Sequence, residues 1–121
     1  MTVLTEGTHA GEFIVSEANG KRSREAITVL SGETLEAGHI VGIETASGKY
    51  KEWNPGNTDG SETAAGVLFE AVDASAADAD GVAVVRDAEI NRGEVVYFTG
   101  ATPAHHDIAA TQLATMGIIA R

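Results

Sequence analysis

Between Lys49 and Phe69 the chain switches abruptly between residues that extend it and residues that bend it. Tyr50 and Trp53, the latter the only Trp of the chain, are bulky side chains suited to a pleated surface. Asn54-Pro55-Gly56-Asn57 then breaks the strand, because Pro fixes φ and lacks an N–H while Gly and Asn tolerate φ > 0. Asp59-Gly60 adds a second turn signal. An apolar run follows from Ala64 to Val72 with Gly66 inside it, where a bulge or a close backbone approach is expected. Strand, polar bend, strand at this spacing commits the middle of the chain to a small β-rich body.

The length of 121 residues sets the default at one domain. A chain of this size buries roughly two-thirds of its unfolded surface, enough for a core without staples. There is no Cys, so disulfides, thiolate metal sites and Cys nucleophiles are excluded. The formal net charge is −10, and such a surface repels phosphate backbones, so no nucleic-acid partner is expected. The charge is uneven. Residues 1–25 carry three basic and four acidic side chains, and the acidic excess lies almost wholly in the remainder. No segment approaches the length of an apolar membrane span, so no membrane partner is expected. The opening Met-Thr-Val-Leu-Thr-Glu lacks the basic and apolar regions of a secretory signal, so none is expected.

Read in order, Met1 to Gly11 has no periodicity and is expected to be loose unless a partner orders it. Strands are expected at Glu12–Glu17, Arg24–Leu30, His39–Glu44, Lys49–Trp53, Val82–Arg86 and Glu94–Phe98. An Asn19-Gly20 turn follows the first. His39–Glu44 and Lys49–Trp53 are expected to pair as a hairpin. Asp73 to Gly81 reads as an acidic, small-residue connection, and Asp87 to Ile90 as a continuation of the strand before it. Thr102-Pro103 offers an N-cap and first helical position, with Asp107 as a second possible start. Ile108, Ala109, Leu113 and Met116 share one face of a helix over about 107–116. Gly117 suits the left-handed residue that ends a helix, and Ile118 to Arg121 a last short strand or packed tail. The fold class is therefore mostly β: a small domain of short strands with one late helix and an extended N-terminal arm.

Chemistry is sparse. His105-His106-Asp107 is the densest cluster of possible ligands, yet adjacent helical residues point about 100° apart and no third ligand is evident. His9 and His39 lack companions at ligand spacing. Asp73, Asp78 and Asp80-Gly81 fail the calcium-loop pattern. No phosphate-cradling loop or nucleophile elbow is present. The expectation is a protein that is not an enzyme and that uses no cofactor and no metal. Phe13, Ile14 and Val15, followed by the basic group Lys21, Arg22 and Arg24, admit two readings: an ordinary first strand, or a partner-docking arm that adds to another protein's sheet.

Three stretches resemble the head decoration proteins of tailed bacteriophages, the lambda-type capsid-stabilising family. They are Glu12 to Glu25, Lys49 to Leu68 with its Trp, Thr-Asp-Gly turn and Ala-Gly-hydrophobe, and the terminal helix followed by Met116-Gly117-Ile118-Ile119-Ala120-Arg121. The resemblance covers most of the chain. It implies a β-clip-like fold, with a capsid-docking arm over residues 1–24 and a β-rich decoration domain over residues 25–121. It implies a homotrimer on the outer surface of an expanded virion head, made in the host cytoplasm. The partner would be the major capsid protein at three-fold and quasi-three-fold positions, and the role a clamp against internal DNA pressure. Carried onto this chain, capsid binding falls to Phe13, Ile14 and Val15 as apolar contacts and to Lys21, Arg22 and Arg24 as charge pairs.

Two other classes remain. A virion-surface module recognising a glycan or host factor would use Tyr50, Trp53 and the bend at Asn54–Gly60, and requires Trp53 to be exposed. A trimeric β-clip nucleotidohydrolase would need Gly-rich and Asp-containing substrate motifs that are not visible.

Overall fold

The computed structural model describes residues 10–18 and 22–121. Ten short strands and one helix follow in order: β1 (Ile14–Glu17), β2 (Arg24–Val29), β3 (Thr34–Leu35), β4 (Ile40–Ile43), β5 (Tyr50–Glu52), β6 (Ala64–Leu68), β7 (Val72–Asp73), β8 (Ala79–Val84), β9 (Ala88–Ile90), α1 (Pro103–Ala114) and β10 (Ile118–Ala120). Five of them close a barrel in the order β2-β5-β4-β6-β8. A second sheet, β1-β9-β10, lies beside it, and β3 pairs with β7. The mostly-β class with one late helix is what the sequence reading expects.

Neighbouring residues along β4, β6 and β8 point to opposite faces of the sheet, and both faces are covered. Val41, Leu68 and Ala83 join Ile27 and Val29 in one apolar cluster. Ile40, Val67 and Val84 face the other way, into a cluster with Trp53, Phe13, Leu113 and Ile118. Burial on both faces explains why the sequence from Ala64 to Leu68 is continuously apolar rather than alternating. The helix and the β1-β9-β10 sheet are the lid over the outer face. Trp53 is fully buried and its indole N–H donates to the Glu62 carbonyl at 2.9 Å. Its ring meets Phe98 edge-on at 5.8 Å, a favoured aromatic geometry. From the helix, the Gln112 side-chain oxygen accepts the Ala64 N–H at 2.8 Å, which ties α1 to the start of β6.

The expected hairpin forms, with Val41, Gly42 and Ile43 opposite Glu52, Lys51 and Tyr50. The close approach expected at Gly66 is real: a Cβ there would stand 2.8 Å from the Val84 carbonyl oxygen. A register shift opposite β4 leaves Ala65 extra between Gly66 and Ala64. The helix begins at Pro103 with Thr102 as N-cap, so the earlier of the two possible starts is used. Its first turn is held by the Thr102 N–H donating to His105 Nδ1 at 3.0 Å. Gly117 follows the helix with φ +81°.

Three expectations are corrected. Glu94–Phe98 is not a strand. Only Val96 makes a bridge, parallel to His39, because Tyr97 and Phe98 turn to the histidines of α1: Tyr97 stacks on His106 at 3.8 Å and Phe98 tilts against His105 at 5.1 Å. Residues 87–90 do not continue β8. Asp87 takes φ +51°, a left-handed conformation that Asp tolerates better than most residues, and the chain leaves the barrel to become the centre of the second sheet. The acidic stretch from Asp73 to Gly81 is not all connection, since Asp73 closes the β3–β7 ladder and Asp80 and Gly81 pair with Thr28 and Ile27 inside the barrel.

Candidate functional site

Gly11 has a φ of +69° and an N–H bond to the Phe69 carbonyl at 3.0 Å, which fix a turn against the barrel. A Cβ on Gly11 would stand 2.8 Å from the Phe69 ring. Phe13 follows, 1% exposed and part of the main core. Ile14 is half-buried against that core. β1 then pairs antiparallel with β9, with a register shift between Ile14 and Ser16. Val15 sits at this irregularity and is 55% exposed, the most exposed large apolar side chain among the described residues. A shift of this kind re-aims side chains, so three consecutive apolar residues receive three different environments.

The basic group is divided in the same way. Lys21 lies outside the described residues, as do residues 1–9 and the expected Asn19-Gly20 turn. Arg22 is exposed and its Nε stands 3.3 Å from Asp87 Oδ2, with 73% of its own side chain open to solvent. Arg24 is different. Its guanidinium holds the Glu17 carboxylate through both Nε, at 3.2 Å, and Nη2, and lies 3.9 Å over the Phe69 ring. The buried Ser23 hydroxyl donates to the same carboxylate at 2.5 Å. The Arg24 hydrogen bond holds the Glu17 carboxyl below its ordinary range, with Ser23 and the Arg24 charge adding and partial burial opposing. A bidentate, stacked guanidinium is among the strongest side-chain attachments available. Arg24 therefore fastens β1 to β2.

Of the six residues expected to bind a shell, Val15 and Arg22 are on the surface, Phe13 and Arg24 are engaged within the subunit, Ile14 is half-covered and Lys21 is outside the described residues. The sequence does not separate these roles, because a clamp arginine and a free arginine differ only in what the fold brings beside them. A carboxylate seven residues before Arg24, at Glu17, was the available signal.

The remaining chemical groups are also engaged. His105 and His106 face separate aromatic partners, so their rings are not aimed at one point. His39 is buried and its Nε2 stands 2.7 Å from Glu52 Oε2. At the bend, Asp59 accepts from the Ser61 hydroxyl at 2.5 Å, from the Ser61 N–H at 3.0 Å and from Lys51 Nζ at 3.0 Å. The Ser61 hydroxyl first, then Lys51, holds its carboxyl far below the ordinary range. Trp53, which a surface recognition module would need to display, is fully buried. Among the described residues no three His, Asp or Glu side chains cluster as a metal site, and no helix is long and apolar enough to cross a membrane.

The described residues form a closed barrel capped by a helix, with charged groups that fasten one element to another. Residues 3–118 match the family described as bacteriophage lambda head decoration protein D. The chain belongs to that family. A comparison with curated proteins returns no match.

Proposed function

We propose that the protein is a cement subunit of a phage head, seated as trimers on the outer surface at three-fold and quasi-three-fold positions of the expanded shell. The observation that carries this reading is the family match over nearly the whole chain. The geometry supports it with a rigid body whose first strand is pinned by Phe13 and the Arg24–Glu17 clamp. That leaves residues 1–9, Val15 and Arg22 for contact with the major capsid protein. The docking arm is therefore narrower than residues 1–24: the part from Phe13 to Glu17 works as the anchor that transmits load into the barrel.

Three arms on one trimer act at high effective concentration, so weak individual patches give firm attachment. Selective docking after expansion requires a site that exists only in the expanded lattice, since a ligand shifts only what it binds differentially. The acidic body suits the outward, solvated side. No catalytic role and no nucleic-acid or membrane partner is proposed. The test is cosedimentation with expanded and unexpanded shells of the parent phage. Binding to expanded shells alone supports the reading; binding to neither, or equally to both, overturns it.

A further inference from the structure

The barrel closes between β2 and β5 through a single residue pair, Val29 with Tyr50. The rest of β2, from Arg24 to Thr28, pairs only with β8. The phase of that ladder is fixed by two bonds. The Ser23 carbonyl accepts the Val85 N–H at 2.8 Å, so Ser23 faces β8; the Val82 carbonyl accepts the Phe69 N–H at 2.8 Å, so Val82 faces away from β2. In an antiparallel ladder, successive residues turn their polar groups to alternate sides. Ala26, opposite Val82, therefore directs its N–H and C=O into the seam, as do Arg24 and the Thr28 N–H. Leu30, next in that series, crosses the seam and donates to the Tyr50 carbonyl at 2.8 Å. The Leu30 N–H and the Thr28 carbonyl belong to the Val29–Tyr50 bridge, and the groups before them in the row, at Arg24, Ala26 and the Thr28 N–H, pair with no strand among the described residues.

A groove of about 820 Å³ runs along it, with Ala26 and Thr28 on one wall and Ile43, Ser47 and Tyr50 on the other. Its rim is acidic. Lys49 is held by Asp78, Glu25 pairs loosely with Arg86 at 3.5 Å, and Asp80 has no ion pair among the described residues. An exposed strand edge is a template for another strand; β2 has no Pro or Lys, and of its two charged residues Arg24 is held by Glu17 and Glu25 pairs with Arg86, which leaves Ala26 to Thr28 uncharged.

We propose that this seam is a strand-acceptor site for an extended segment of a partner protein carrying a Lys or Arg in register with Asp80. Main-chain bonds to Ala26 and Thr28 supply attachment and the rim charge supplies selectivity. The site is separate from the N-terminal attachment described above and does not depend on it.

Nuclear magnetic resonance of the labelled full chain tests it with two synthetic hexapeptides, Thr-Lys-Val-Lys-Val-Thr and its counterpart with Glu for Lys. In the free protein the Ala26 amide is expected to exchange faster than that of Ile27. The Lys peptide is expected to shift Ala26 and Thr28 and slow their exchange, with the Glu peptide about tenfold weaker and Asp80→Lys reversing the preference. Ala26→Pro removes an N–H that the β2–β8 ladder does not use, at an edge where Pro is tolerated, so it is expected to keep the native Tm and lose binding. Should that variant not fold, Asp80→Lys decides alone. No response at Ala26 and Thr28 to either peptide at millimolar concentration, or an equal response to both, overturns the proposal. So does protection of Ala26 that rises with protein concentration alone, which would make the occupant a second copy.

Discussion

Arg24 on β2 and Glu17 on β1 form one fitting: the guanidinium grips the carboxylate and stacks on Phe69 at 3.9 Å. The pair joins an N-terminal strand of the second sheet to the first strand of the barrel.

Arg24→Met is expected to destabilise the protein by about 1–3 kcal/mol, since it leaves a mostly buried carboxylate with only the Ser23 hydroxyl as its partner. A double-mutant cycle with Glu17→Gln should return a coupling of about 1–2 kcal/mol in urea unfolding. Additivity of the two changes would mean that the contact carries no load.

Acid should weaken the same fitting and the bend. Glu17 and Asp59 both have carboxyls held below their ordinary range in the folded protein. Their contribution is complete above the unfolded carboxylate pKa of about 4 and is lost as pH falls through the depressed folded values. Thermal melts between about pH 5 and pH 2 are expected to show a shallower loss of Tm for the Asp59→Asn, Glu17→Gln double variant than for the native protein. Equal slopes would place the acid-sensitive groups elsewhere.

Trp53→Ala is expected to cost about 3–5 kcal/mol and Trp53→Phe less, because the side chain fills the space between barrel and helix. As the only Trp of the chain, it should emit at short wavelength in the native state and shift to the red on unfolding. Red-shifted native emission would contradict its burial.

Much of this body is legible in the sequence where the signals are local. The hairpin from Ile40 to Glu52, the Gly66 approach and the helix start at Thr102-Pro103 rest on turn chemistry, close packing and capping within a few residues. The barrel seam and the second sheet are not legible, because they pair residues far apart: β1 and β10 meet only on β9. Asp87 hides the departure of β9 by adopting a positive φ without being Gly. In the candidate site, the apolar triplet Phe13-Ile14-Val15 looks uniform, and only the register shift in β1 tells which member is offered outward.

Val15→Glu and Arg22→Glu are exposed changes and are expected to alter stability by no more than about 0.5 kcal/mol. Each should weaken attachment to expanded shells, read as a lower pelleted fraction at a fixed protein concentration. Phe13→Ala should instead unfold the subunit by about 3–5 kcal/mol. A Val15→Glu variant that pellets like the native protein would remove Val15 from the docking surface.

The most direct measurement compares the full chain with residues 10–121 in cosedimentation with expanded shells, after melts of both. The shortened protein retains Phe13, the Arg24–Glu17 clamp and the whole barrel, so it is expected to melt with the native Tm and to remain in the supernatant while the full chain pellets. Pelleting of residues 10–121 at the full chain's affinity would contradict an attachment made through the N-terminal arm.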